Sequence, residues 1–295
     1  MNIRRHVPIG PMTTYRVGGA AALFLAIDNE EDLLAAVALV RAEHAAVLVV
    51  GKGSNLLVAD AGFDGVAVML GDGFGEVVID GTTVAAGGAV SLPVVARRTA
   101  AAGLTGFEWA VGVPGSIGGA VRMNAGGHGS DMAATLTGVR VVDLASGEDE
   151  WMAASALDLA YRHSAIGASQ VVVRAELALE RGDAASAEAT IASIVRWRRE
   201  NQPGGQNAGS VFANPPDDSA GRLIDAAGCK GLRIGTAAVS DKHANFFIAD
   251  DGGRADDVFA LMREVRRRVH DAHGIWLEAE TRLVGFTNPR REVES

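Results

Sequence analysis

The sequence of 295 residues is poor in cysteine, in aromatic residues and in basic charge. Its single cysteine, Cys229, excludes an internal disulfide and any metal site built on paired cysteines. Acidic residues outnumber basic ones by 36 to 27, and the formal net charge of -9 argues against a general nucleic-acid binder, because such proteins need a concentrated basic surface. Any anionic ligand must therefore be held by local donors.

Long apolar runs are also missing. The richest apolar segment, residues 20–27, is far shorter than the roughly 20 residues that cross a bilayer. The charges near the N-terminus are not followed by the apolar stretch of a signal peptide. We therefore expect a soluble protein without a membrane partner, and the lone cysteine favours a cytoplasmic location.

Alternating strand-like and helix-like segments predict an α+β fold. The apolar runs at residues 23–27 and 47–50 are typical of strands, and the segment between them has one apolar helical face with Asp28 in the capping position. Asp80-Gly81-Thr82 predicts a hairpin turn. A charged, alanine-rich helix leads into Gln202-Pro203-Gly204-Gly205, a break typical of a domain boundary. Beyond this break we expect a long helix that ends at Gly274 and a final strand that carries Glu280.

Two glycine clusters predict ligand-binding loops. Gly51-Lys52-Gly53-Ser54-Asn55-Leu56 follows a strand-like run, but it fits neither a P-loop nor the dinucleotide fingerprint, since Leu56 stands where a third glycine is needed. The second cluster occupies residues 112–129. Residues without side-chain bulk let backbone N–H groups approach a phosphate or a flat ring. The alternative interpretation is a pair of tight interdomain turns.

Three separate segments carry side chains suited to proton-coupled chemistry. Ser210 lies between a glycine and an Asn-Pro turn, Arg162 lies in Tyr161-Arg162-His163-Ser164, and Glu280 lies in Leu277-Glu278-Ala279-Glu280. An arginine matches a carboxylate with two parallel hydrogen bonds, and a serine can serve as an acid only for a strongly basic carbanion close by. Each residue also has an ordinary interpretation: Arg162 as part of a surface ion pair, Ser210 as a loop or capping serine, and Glu280 as a solvated glutamate.

Several motifs occur together in the order that is known from one family, the UDP-N-acetylenolpyruvoylglucosamine reductases. The resemblance runs from about Thr13 to Gly285. Flavin loops occur in many flavoenzymes, so the specific part is the combination of the Arg162 segment with Gly209-Ser210-Val211-Phe212. The similar segments lie at residues 51–58, 113–126, 161–164, 209–215, 221–231 and 238–244.

This resemblance implies a fold, a cofactor and a reaction. It implies a two-lobed FAD-binding domain of the vanillyl-alcohol-oxidase/PCMH type at residues 1–183, with lobes at about 1–68 and 69–183. A C-terminal α+β substrate-binding domain would occupy residues 184–295. NADPH would reduce FAD, and the reduced flavin would reduce the double bond of UDP-N-acetyl-3-O-(1-carboxyvinyl)-glucosamine to give UDP-N-acetylmuramate for peptidoglycan synthesis.

Site residues follow from the same resemblance. Arg162 and Glu280 would stabilise charge on the substrate carboxylate, and Ser210 would protonate the carbon alpha to it. The implied substrate contacts are Asn214, His243 and Arg282, and no metal is implied. The implied FAD contacts are Gly51, Lys52, Gly53, Ser54, Asn55, Leu56, Pro114, Gly115, Ser116, Gly118, Gly119, Asn124 and Gly126.

Two departures and two alternatives remain. Ala213 stands where the family often has a lysine, and we find no inserted loop with a tyrosine, so the chain is similar to the subgroup that lacks this insertion. One alternative is a flavin oxidase on the same FAD domain, and the other is a flavin or nucleotide-sugar binding protein without turnover. The sequence does not indicate an oligomeric state.

Overall fold

The computed structural model describes residues 2–286. The chain forms two compact units, each assembled from separate stretches of sequence. The first unit contains the N-terminal residues to Arg5, residues 23–52 and residues 65–198. The second contains residues 6–22, 53–64 and 199–286. The division into functional domains at residues 183 and 184 stays a prediction.

The secondary structure is mixed, as predicted. The helices are α1 (Glu30–Glu43), α2 (Leu92–Ala101), α3 (Ile117–Arg122), α4 (Ala184–Asn201), α5 (Ala220–Ala226) and α6 (Ala255–His273). The strands of the N-terminal half are β1 (Asn2–Pro8), β2 (Ala20–Ile27), β3 (Val47–Val49), β4 (Leu56–Val58), β5 (Phe63–Leu70), β6 (Val77–Asp80), β7 (Thr83–Gly87), β8 (Leu104–Thr105), β9 (Gly126–Gly127), β10 (Ser130–Asp131) and β11 (Leu136–Asp143). The remaining strands are β12 (Asp149–Ala153), β13 (Gln170–Ala178), β14 (Glu180–Arg181), β15 (Arg233–Ile234), β16 (Ala237–Val239), β17 (Phe247–Ala249) and β18 (Arg282–Val284).

An antiparallel five-stranded sheet with the order β12-β11-β13-β7-β6 forms the centre of the first unit. Alternate residues of β13 are buried, as the period of two in its sequence predicts. Ala175 and Leu177 pack in one core with Val95 of α2 and Ile117 of α3, which are both fully buried. The hairpin between β6 and β7 turns at Gly81, whose φ of 60° suits a glycine.

A second core in this unit surrounds α1. Its residues include Leu25 of β2, Val66 of β5 and Leu33 of α1, together with Val171 and Val173 of β13. Strands β2 and β5 belong to a four-stranded sheet with the order β1-β2-β5-β3, in which β3 and β5 run parallel. The predicted cap of α1 was wrong by one residue, because the Asn29 side chain accepts from the N–H of Asp32 at 2.9 Å.

The second unit is built on α6. Its buried residues recur at a helical spacing from Val258 to Val269, and they pack with the apolar side of the sheet β15-β16-β17. The helix ends at Gly274 in the left-handed conformation, as predicted. Among residues 2–286, none of the helices combines the length and apolar character needed to span a bilayer.

Candidate active site

The segment that carries Ser210 is an extended strand-like stretch of the second unit. It begins after Gly209, whose φ of 78° favours glycine and whose N–H donates to the Asn207 side chain at 3.0 Å. Ser210 pairs with Phe246 as an isolated bridge, and the next residue, Val211, is fully buried. The Ser210 hydroxyl is therefore carried by a segment that the core holds on one side.

Glu280 lies on the segment next to Ser210. The N–H groups of Glu280 and Thr281 both donate to the carbonyl of Val211, at 2.8 Å and 3.2 Å. One acceptor shared by two successive N–H groups is the hydrogen-bond pattern of a β-bulge, which redirects side chains and is frequent beside active sites. The prediction that a regular strand carries Glu280 was wrong, because β18 begins only at Arg282 and the bulge precedes it.

Asn55, in the first glycine cluster, is hydrogen-bonded to the segment that contains Glu280. The Asn55 side-chain amide donates to the backbone carbonyl of Glu280 at 3.1 Å. The backbone carbonyl of Asn55 accepts from the N–H of Arg282 at 3.0 Å. Beyond this point β4 and β18 pair in parallel, with Leu56 opposite Arg282. The structure thus brings together two predicted cofactor residues, one predicted catalytic residue and one predicted substrate contact.

The backbone of the first glycine cluster is suited to an anionic ligand. Within the described part of the chain, the N–H groups of residues 51–55 donate to no protein acceptor. Gly53 has a φ of 61°, and a Cβ there would lie 2.4 Å from the carbonyl oxygen of Met12. A Cβ at Gly51 would lie 2.6 Å from the Ser116 hydroxyl. The N–H donors without a protein acceptor fit the pyrophosphate of a dinucleotide cofactor, and the two glycines let the loop pack closely against Met12 and Ser116.

The second glycine cluster contributes differently. Ser116 caps α3, because its hydroxyl accepts from the N–H of Gly119 at 3.3 Å. A Cβ at Gly118 would lie 3.0 Å from the carbonyl oxygen of Val172, so packing of α3 on the sheet already accounts for this glycine. The prediction that these residues contact FAD stays a prediction.

Asn124 connects this cluster to the segment of Arg162. The buried Asn124 amide donates to the carbonyl of Ala160 at 3.0 Å and accepts from the N–H of Ala133 at 2.9 Å. Ala160 and His163 pair with each other around a tight turn whose tip includes Arg162. The amide of Asn124 therefore supports this turn, whether or not it also contacts FAD.

Arg162 lies in a constrained conformation. Its φ of 56° is unusual for a residue with a side chain, and such strain is concentrated at functional sites. Its guanidinium lies 5.0 Å from the centre of the Tyr161 ring, and Nη2 donates to the carbonyl of Gly126 at 3.3 Å. These contacts orient a planar cation beside the second glycine cluster.

Asn214 and His243 both lie near the first turn of α5. The Asn214 side chain accepts from the N–H of Ala220 at 3.0 Å, and His243 Cε1 lies 3.3 Å from the position of a Cβ on Gly221. Burial lowers the pKa of His243, and the charge of Lys230 adds to this effect. His243 Nδ1 accepts from the N–H of Asn245 at 3.2 Å, so the neutral ring carries its proton on Nε2. His243 can therefore act as a hydrogen-bond donor through Nε2.

The comparisons with known proteins identify the class to which these features belong. Residues 21–152 match the model of the FAD binding domain, and residues 201–284 match that of the UDP-N-acetylenolpyruvoylglucosamine reductase C-terminal domain. The chain is thus a flavin-dependent oxidoreductase with a separate C-terminal domain.

Relatives along nearly the whole length make the assignment more specific. The UDP-N-acetylenolpyruvoylglucosamine reductase of Synechococcus sp. (strain RCC307) is 41% identical, covering 98% of this chain and 96% of the relative. That of Heliobacterium modesticaldum is 43% identical, with 94% and 89% covered. The crystal structure of the enzyme from Thermus caldophilus has a TM-score of 0.84 and 34% identity, and the match covers 96% of this chain and all of that chain. The chain belongs to the UDP-N-acetylenolpyruvoylglucosamine reductase family, which confirms the resemblance.

Sequence reasoning missed one polar residue of the site, Asn245. It is only 2% exposed, and its side chain is hydrogen-bonded to the backbone of Phe212. One signal in the sequence could have pointed to it. Asn245 directly precedes the apolar run Phe246-Phe247-Ile248, at a position where an apolar residue would be usual at the start of a strand.

Proposed function

We propose that this protein is an FAD enzyme that uses NADPH to reduce UDP-N-acetyl-3-O-(1-carboxyvinyl)-glucosamine to UDP-N-acetylmuramate, a precursor of peptidoglycan. Family membership over nearly the full chain supports the proposal. The structural observation that carries it is the pairing of the Ser210 segment with the bulge at Glu280, beside Asn55 of the first glycine cluster.

The two glycine clusters would hold the cofactor. The N–H groups of residues 51–55 would face its phosphates, and Lys52, whose side chain is exposed, would add a positive charge. The other proposed contacts are Leu56, Pro114, Gly115, Ser116, Gly118, Gly119, Asn124 and Gly126. Bound FAD, once reduced by NADPH, would supply the hydride that is added to the enolpyruvyl double bond.

Ser210, Glu280 and Arg162 would handle the charge and the proton. Ser210 would donate its hydroxyl proton to the carbon alpha to the substrate carboxylate, which is a task for an acid matched to a strongly basic carbanion. Arg162 and a protonated Glu280 would stabilise the negative charge that develops on that carboxylate, and preorganised groups of this kind commonly make the largest catalytic contribution. The donor Nε2 of His243, together with Asn214 and Arg282, would contact the rest of the substrate.

Domain roles and location complete the proposal. Residues 1–183 would bind FAD and residues 184–295 would bind the UDP-sugar, without a tyrosine insertion. The matched residues 21–152 and 201–284 agree with this assignment of roles. A cytoplasmic location is proposed on the lone, buried cysteine and on the supply of NADPH that the reaction needs.

The test is NADPH consumption by the purified FAD-loaded protein, with and without the enolpyruvyl UDP-sugar. We expect consumption to depend strongly on the sugar, and mass spectrometry should find a product that is heavier by two hydrogens. Ser210→Ala serves as the matched control, and it should abolish most of the sugar-dependent consumption.

Three results would contradict the proposal. Rapid oxygen uptake without the sugar would indicate an oxidase. A flavin that NADPH does not bleach would indicate a binding protein without turnover. Consumption that is independent of the sugar, with no reduced product, would exclude this substrate.

A further inference from the structure

The buried side-chain amide of Asn245 forms two hydrogen bonds with the backbone of one residue in the second unit. Its Oδ1 accepts from the N–H of Phe212 at 3.0 Å, and its Nδ2 donates to the carbonyl of the same residue at 2.8 Å. An amide that pairs with both backbone groups of one residue reproduces the two bonds that an opposite strand residue would form. The side chain therefore acts in place of a peptide group.

The local chain path explains why a side chain is needed there. Ser210 pairs with Phe246, and the N–H of Val211 donates to the backbone carbonyl of Asn245 at 2.9 Å. The N–H of Phe246 donates to the carbonyl of His243 at 3.0 Å, so the chain reverses over residues 243–246. This reversal ends the backbone ladder one residue before Phe212, and the Asn245 side chain continues it.

The opposite edge of the same segment leads directly to Glu280. Phe212 pairs with Ala279 as an isolated bridge, and the N–H of Ala213 donates to the carbonyl of Glu278 at 2.9 Å. The carbonyl of Val211 accepts from Glu280 at 2.8 Å. A shift of the serine segment would therefore move the backbone partner of Glu280 as well.

We propose that Asn245 is a positioning residue, whose amide holds Ser210 and, through Val211, Glu280 in the arrangement that proton delivery requires. The inference rests on the proposed function, because the role of Ser210 belongs to it. If Asn245 had only a structural role, its replacement would lower stability and leave the chemistry of the folded enzyme unchanged. The two roles differ in what happens to the rate of substrate reduction.

The first experiment uses Asn245→Leu in the FAD-loaded enzyme. Leucine branches at Cγ as asparagine does, but it cannot form hydrogen bonds and leaves both backbone groups of Phe212 without their partner. Stopped-flow measurements follow flavin bleaching by NADPH and flavin reoxidation by the enolpyruvyl UDP-sugar separately. We expect bleaching near the wild-type rate and reoxidation slowed by roughly 10²-fold, since a displacement of about 1 Å can cost that much.

Leu261→Ala is the matched control for stability. Leu261 is fully buried on α6 in the core of the same unit, so its truncation removes packing without removing a hydrogen bond to the serine segment. We expect this variant to unfold at a lower urea concentration while both half-reactions keep their wild-type rates. Equal slowing of reoxidation in the two variants would overturn the proposal.

Asn245→Asp gives a second test that does not depend on the leucine variant folding. A protonated carboxyl group can accept from the N–H of Phe212 and donate to its carbonyl, as the amide does, whereas a carboxylate cannot donate. Burial raises the pKa of such a carboxyl group. The reoxidation rate of this variant, divided by the wild-type rate at the same pH, should therefore rise as the pH is lowered.

The outcomes separate this inference from the proposed function. A wild-type flavin that the sugar does not reoxidise would refute the proposed function before any variant is measured. If the wild type is reoxidised, a normal reoxidation rate in Asn245→Leu would overturn the positioning role. A rate ratio for Asn245→Asp that does not change with pH would overturn it as well.

Discussion

Gly53 provides a test of why the first glycine cluster needs glycine. A Cβ at Gly53 would lie 2.4 Å from the carbonyl oxygen of Met12 and 2.7 Å from the Cα of Thr13. Both are backbone atoms, so no side-chain rotation can remove the clash. Gly81 has nearly the same φ, 60° against 61°, but a Cβ there would meet nothing within 4 Å. Gly81→Ala is therefore the matched control for Gly53→Ala.

The two substitutions should differ by the cost of the clash. Each alanine must adopt the left-handed conformation, which costs about 1–2 kcal/mol. At Gly53 the backbone must also move, and forced packing changes of this kind typically cost about 1–3 kcal/mol more. We expect the free energy of unfolding to fall by about 1–2 kcal/mol for Gly81→Ala and by about 2–5 kcal/mol for Gly53→Ala.

Urea unfolding and FAD titration measure the two consequences. The unfolding midpoint should fall further in Gly53→Ala, with an unchanged dependence on urea. FAD affinity should fall only in Gly53→Ala, because the shift moves the unpaired N–H groups of residues 51–55. Equal losses of stability and wild-type FAD affinity in both variants would refute the reasoning.

Three further predictions concern the cofactor, the proton donor and an ion-pair network. Acid or heat should release all of the flavin as intact FAD, and flavin that stays attached to the denatured chain would contradict noncovalent binding. Ser210→Ala should leave flavin bleaching by NADPH intact and slow reoxidation by roughly 10²- to 10⁴-fold, with partial recovery in Ser210→Cys; normal reoxidation in Ser210→Ala would remove the acid role. Arg140 pairs with Glu30 and Asp149 and lowers the pKa of Asp149 through its hydrogen bonds. Because these partners are partly exposed, Arg140→Met should cost only about 0.5–2 kcal/mol in urea unfolding near neutral pH. The Asp149 part of this difference should be complete above the unfolded carboxyl pKa of about 4 and should vanish as the pH falls through the lowered folded pKa; an Arg140→Met difference that is constant into acid would contradict the assignment.

Features set by nearby residues could be predicted from the sequence. The apolar spacing on α6 and the glycine after it gave the helix and its end, and the turn at Gly81 gave the hairpin. The family motifs also identified the segments of Arg162 and Ser210. The predictions for α6 and for the hairpin succeeded because each depends on residues within one or two turns of chain, whereas the roles of Arg162 and Ser210 stay predictions.

Features that depend on pairing between distant residues could not be predicted. The bulge at Glu280 is defined by two N–H groups that share the carbonyl of Val211. The sequence around Glu280 alone does not show how it pairs with the segment around Val211. The role of Asn245 requires knowing that the chain reverses at His243 and leaves Phe212 without a backbone partner. The sequence could suggest candidate chemical groups for the site, but not the hydrogen bonds that position them.

The second unit places the Asn55 end of the first glycine cluster and Glu280 on one support. Asn55 directly precedes β4, and Arg282 begins β18, so the parallel pairing of these strands fixes the separation between Asn55 and Glu280. Asp60, which lies two residues beyond β4, accepts from the N–H groups of Ala255 and Asp256 at the start of α6, at 2.9 Å and 3.3 Å. The Asn55 end of the glycine cluster is therefore connected, through β4 and Asp60, to the helix in the core of this unit. Because the supporting contacts lie within one compact unit, the geometry between Asn55 and Glu280 does not depend on how the first unit is placed.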